Sequence, residues 1–159
     1  MTEKKRAESF NQEKYPWKKG IDYRLHSELY QVGKGEQGVL ICEPYKSEIL
    51  PFWKFKTPEI AQKGAEEIYQ LFIQYLEVDE FVGADMARKF LQMGFTRARR
   101  YANYKGGHKY LADDTGTFIK GSGDPMKIES AAIYFSFWKM AENYPLYQEK
   151  KVEWKQKFG

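Results

Sequence analysis

Twenty residues beginning at Pro58, PEIAQKGAEEIYQLFIQYLE, restrict the fold more than any other part of the chain. Ile60, Ala61, Ala65, Ile68, Tyr69, Phe72, Tyr75 and Leu76 recur there at helical spacing, which predicts a helix ending near Glu77. Thr57 is placed to cap it, Pro58 suits the first helical position, and Glu59 complements the positive end of the helix dipole. Gly64 works against it by about 1 kcal/mol relative to Ala.

Further helices are predicted downstream. Asp79 can cap a second one, with Val82, Met86, Phe90 and Met93 on one stripe and Gly94 as its stop. Thr96 can cap a third, short helix that carries Arg97, Arg99, Arg100 and Tyr101 and ends at Gly106-Gly107. Residues 112–124 read as a loop or small hairpin. Asp124-Pro125 opens a helix to about Asn143, and Pro145 separates it from a last helix over Leu146 to Phe158. Upstream, Asp22 to Tyr30 predicts a helical turn or two, with Leu25, Leu29 and Tyr30 on one side. Val39 to Cys42 is the best strand candidate, and Pro51 to Lys56 alternates weakly as a second strand or extended edge. The expected fold is therefore α+β and mostly α: four to five helices with a small two- or three-stranded β element in the N-terminal third. Residues 1–14 are polar and expected to fray. Residues 15–159 fit one domain, long enough to bury a real core.

Composition narrows the chemistry. Cys42 is the only cysteine, and His26 and His108 are the only histidines, far apart in sequence. An intramolecular disulfide is excluded, and a thiol-rich or zinc site is argued against, so no metal is expected. The charged N-terminus does not read as a signal peptide, and no apolar run approaches the roughly 18 residues that a bilayer span needs. These features predict a cytoplasmic protein with no membrane partner.

The charge is unevenly distributed. Met86 to Ala112 holds Arg88, Lys89, Arg97, Arg99, Arg100, Lys105 and Lys109 with no Asp or Glu, while the net charge of the whole chain is only +4. Phe90, Phe95, Tyr101, Tyr104 and Tyr110 are interleaved with these cations. Arginine pairs phosphate bidentately, and Tyr101, Tyr104 and Tyr110 could stack on bases. The bland alternative pairs the arginines with acids such as Glu66, Glu67 or Glu129 and buries the tyrosines.

Gly33-Lys34-Gly35-Glu36-Gln37-Gly38 matches G-x-G-x-x-G, but the helix that a dinucleotide fingerprint needs after the glycines is missing. The H-R-D and D-F-G segments of a kinase are missing too. A turn, or a small anion nest using Lys34, Gly35 and Gly38, remains. Glu36, Glu43, Asp79 and Asp85 are possible acid–base groups, each as easily a cap or a surface charge.

Two segments, LYQVGKGEQGVLICEPYKSEILPFWKFK from Leu29 and FVGADMARKFLQMGFTRARRYANYKGGHKY from Phe81, resemble the family catalogued as domain of unknown function four-three-eight-five, found in bacteria, fungi and tailed phages. The resemblance implies a small cytosolic protein of a bacterial or phage-infected cell and carries no catalytic residues. The residues themselves predict a nucleic-acid-binding accessory protein, for DNA or RNA. Its proposed phosphate contacts are Lys34, Gly35, Gly38, Arg88, Lys89, Arg97, Arg99, Arg100, Lys105, His108 and Lys109. The glycine loop and basic block would share one face. An enzyme acting on a nucleotide or other phosphorylated small molecule, and a binder of a phage or host protein, are the alternatives. The sequence specifies neither a cofactor nor an oligomeric state.

Overall fold

The computed structural model describes residues 18–32, 42–103 and 125–159, with side chains on the third helix described as far as Arg100. Among the described residues five α-helices follow one another: α1 (Tyr45–Ile49), α2 (Pro58–Glu77), α3 (Phe81–Asn103), α4 (Pro125–Glu142) and α5 (Pro145–Phe158). Short 3-10 turns cover Ser27–Leu29 and Leu50–Phe52. The described residues contain no β-strand, only an isolated parallel bridge between Asp22 and Glu43. This corrects the expected α+β fold to an all-helical one over these residues.

The segment read as a second strand shows why. Pro51 enters a 3-10 turn in which the Trp53 amide donates to Leu50 O, and the Lys54 amide then donates to Phe52 O. The carbonyls of Lys54 and Lys56 accept from the Tyr134 hydroxyl and the Lys127 ammonium, both on α4. Its polar backbone is thus satisfied by turns and helix side chains rather than by a strand ladder. Of the first strand candidate, residues 39–41 lie outside the described residues and Cys42 is buried.

Helix α2 forms as its residues dictate. Thr57 Oγ1 accepts from the Ile60 amide at 3.2 Å, Pro58 opens the helix, and Ala61, Ala65, Ile68, Phe72, Tyr75 and Leu76 are buried. At its C-terminus the Asp79 amide donates to Leu76 O and the Glu80 amide to Tyr75 O. Asp79 takes a left-handed conformation, φ 58°. Asp79 therefore terminates α2 in a Schellman turn instead of capping the next helix.

A larger correction concerns α3. The expected break at Gly94 and restart at Thr96 do not occur, and one helix of 23 residues runs through both. Thr96 Oγ1 donates back to Gln92 O at 3.0 Å, a mid-helix bond rather than a cap. Gly94 serves packing. A Cβ there would stand 2.3 Å from a ring carbon of Tyr134, so the missing side chain lets α4 approach. Residues 81–91 of α3 are buried on every side. Helices α2 and α4 pack along α3 and on each other, while α1, α5 and residues 18–32 close over its first half. In that N-terminal segment Tyr30 is buried but Leu25 and Leu29 are exposed, so the three do not share one buried side.

Gly94→Ala gives this packing account a sign to check. Helix propensity alone predicts a gain of about 1 kcal/mol. Overlap with Tyr134 predicts a net loss of about 1–3 kcal/mol, and urea unfolding of the two proteins distinguishes them.

Candidate functional site

The basic stretch divides between interior and surface. Arg88 and Lys89 belong to the interior, 6% and 3% exposed. They surround Asp85, which is fully buried. Asp85 Oδ1 accepts from Tyr147 OH at 2.6 Å and from Arg88 Nε at 3.1 Å, and Oδ2 accepts from Tyr30 OH. Arg88 Nη1 continues to Gln92 Oε1 at 2.9 Å. One carboxylate thereby joins residues 18–32, α3 and α5. Trp154 of α5 adds a bond from Nε1 to Tyr30 O at 2.7 Å.

Burial works to raise the Asp85 pKa. The charges of Arg88 and Lys89 and the hydroxyls of Tyr147 and Tyr30 together outweigh it and hold the carboxyl at about 2. For Lys89, burial wins and pushes the ammonium down to about 8, with Asp85 offsetting part and Arg88 and Lys151 adding repulsion. Burial, with Asp85 nearby, also pushes the Cys42 thiol well up, which suits a small interior hydrophobe rather than a nucleophile.

Arg97, Arg99 and Arg100 are exposed near the C-terminal end of α3. Among the described residues no carboxylate, including Glu66, Glu67 and Glu129, forms an ion pair with them. Arg100 sits in the last turn, where the helix dipole favours a cation. Arg97 and Arg99 instead lie over aromatic rings on different sides of the helix. Arg97 stands 5.3 Å from the centroid of Trp53, and Arg99 stands 5.8 Å from that of Phe95. Phe95 packs on Phe135 and Trp138, and Lys139 lies 4.2 Å over Trp138. The exposed end of α3 is therefore flanked by two patches of cations on aromatic rings.

The remaining predicted contacts lie outside the described residues: Lys34, Gly35, Gly38, the Tyr101 side chain, Tyr104, Lys105, His108, Lys109 and Tyr110. So does the question of whether the glycine loop shares a face with the arginines. Of the carboxylate candidates, Glu43 accepts from the Ser47 amide and hydroxyl, and Asp79 pairs with Lys150 at 3.0 Å. The sequence reading missed the role of Pro51–Lys56, although the alternation Phe52-Trp53-Lys54-Phe55-Lys56 was its available signal. Nothing in the sequence pairs Tyr30 and Tyr147 with Asp85.

These features define a helical protein built around an interior ion cluster, with a cationic and aromatic surface at the far end of its central helix. The chain belongs to the family described as Domain of unknown function (DUF4385), whose model matches residues 13–157. No curated protein and no solved structure matches it. Among the described residues, no helix is long and apolar enough to cross a membrane.

Two variants check the cluster. Asp85→Asn leaves the Arg88 charge buried without its counter-ion and is expected to lose about 3–5 kcal/mol in urea unfolding at neutral pH; a loss under about 1 kcal/mol would mean that Arg88 is solvated. Lys89 gives a pH signature. Between its folded value of about 8 and its ordinary 10.5, the unfolded chain binds the extra proton, so the Lys89 contribution to stability rises with pH. From pH 8 to 9 wild type should gain on Lys89→Met by up to about 1.4 kcal/mol. A pH-independent difference between the two would refute the depressed amine.

Proposed function

We propose that this protein binds nucleic acid through the exposed end of α3, with Arg97, Arg99 and Arg100 contacting phosphates. The observation that supports this most is the division of the basic stretch. Of its interior cations, Arg88 pairs with Asp85 and Lys89 is buried. Its surface arginines meet no described carboxylate, and two of them rest on aromatic rings. A guanidinium held over a ring keeps its charge and its donors in a defined place, which lowers the ordering cost of binding phosphate. Aromatic rings beside cations are also the pairing that nucleic-acid surfaces use, one for bases and one for the backbone.

The enzyme reading draws less support. Of the two acids it would use, Asp85 is enclosed in the core and Glu36 lies outside the described residues. A partner-protein reading has no residue-level observation in its favour.

The test is fluorescence anisotropy of labelled oligonucleotides, single-stranded and duplex, titrated with protein across a salt series. Arg97→Glu, Arg99→Glu and Arg100→Glu combined should weaken binding at low salt at least about tenfold. The slope of log affinity against log salt should fall by about 2–3. Undetectable low-salt binding by wild type, or a triple variant with unchanged affinity and slope, defeats the proposal.

A further inference from the structure

Beside Arg97 lies a surface trough, and we infer that it is a subsite for the unpaired bases of a single-stranded nucleic acid; this rests on the reading of the α3 arginines as phosphate contacts. One part of the trough, about 410 Å³, is lined by Trp53, Phe55 and Ile60 together with Lys54, Lys56 and Lys127. It continues past Lys54 and Ile60 into a second part of about 460 Å³, where Phe52, Lys63 and Glu67 are added. Phe52 and Ile60 are 36% and 38% exposed, large apolar side chains on open surface. Four lysines against one glutamate give the lining a positive sign that matches a polyanion.

The trough is preformed. Trp53 Nε1 donates to Phe90 O at 2.9 Å, Tyr134 OH to Lys54 O at 2.8 Å, and Lys127 Nζ to Lys56 O at 2.8 Å. Three bonds therefore pin the 53–56 segment to α3 and α4. Gly64 lets the same segment lie on α2, since a Cβ there would stand 2.9 Å from Lys54 O. Trp53 packs edge-on against Phe55 and Phe90 while Arg97 covers its ring, so the trough adjoins Arg97, one of the three arginines read as phosphate contacts. A rigid site avoids part of the ordering cost of binding.

Strandedness follows from which base surfaces an apolar wall can use. In a duplex the base faces are stacked on one another and only edges and phosphates are offered. A single strand offers base faces that can leave water for aromatic and aliphatic side chains, while its backbone remains beside lysine and arginine. A trough with apolar walls and cations among its lining suits the second case.

The experiment compares an oligothymidylate of about 12 nucleotides with a duplex of the same length, by anisotropy at one low salt concentration. Wild type should prefer the single strand by about tenfold or more. Phe52→Ala with Ile60→Ala should weaken single-strand binding about fivefold or more and leave duplex affinity unchanged. Both side chains are partly exposed, and the melting temperature of the double variant verifies folding. Should that variant be unstable, Lys54→Glu with Lys56→Glu replaces it and should likewise reduce the single-strand preference. Equal affinity for both forms, or groove variants that bind like wild type while the arginine variant does not, overturns the subsite and leaves the phosphate reading standing. If neither oligonucleotide binds, or the arginine triple variant binds like wild type, the phosphate reading fails and the subsite falls with it.

Discussion

The Asp85 carboxylate is the contact on which the arrangement of this molecule depends. A lone ion in a protein interior is costly, and it persists only where partners surround it. Here the partners come from three places in the chain: Arg88 one turn along α3, Tyr30 before α1, and Tyr147 on α5. The N-terminal segment and the C-terminal helix each bring one hydroxyl to the same carboxylate. The cluster thus acts as a registry device, since a slipped packing would leave a buried charge exposed to an apolar core. A second, half-buried network repeats the device nearer the surface. There Arg24 bridges Glu48 and Glu80, which also accept from Tyr75 and Tyr45 respectively.

Around this centre, helix contact is set by what glycine omits. At Gly94 the absent side chain admits the Tyr134 ring, and Tyr134 then reaches past α3 to hold Lys54 O. Packing between α3 and α4 therefore also shapes the surface segment 50–56. The link runs from an interior residue, through one tyrosine, to the wall of the trough. It explains how a stretch with neither α-helix nor strand keeps a definite form.

The two ends of α3 have opposite environments for the same residue types. Its first half is enclosed, so its cations find Asp85 and polar side chains. Near its other end Arg97, Arg99 and Arg100 are exposed, and Arg97 and Arg99 rest on Trp53 and Phe95. A sequence-level count of positive charge joins these halves into one basic block. Burial separates them, because desolvation makes an interior cation a partner of the nearest anion and leaves only the outer ones available to a ligand.

What the sequence determined by itself was local. The start, cap and end of α2, the proline that opens α4 and the proline between α4 and α5 were all legible, because caps, proline geometry and a helical apolar period act within a few residues. The family was legible too, from two long segments. Tertiary structure decided the rest. Gly94 reads as a helix stop until Tyr134 fills the space beside it, since glycine lowers helix propensity equally whether it ends a helix or admits a neighbour. Pro51–Lys56 reads as a strand until helix side chains satisfy its carbonyls. Arg88 and Lys89 read as surface charges until Tyr30 and Tyr147, 117 residues apart in the numbering, close over Asp85. Each of these outcomes depends on atoms distant in sequence, and no local pattern encodes which of them will meet.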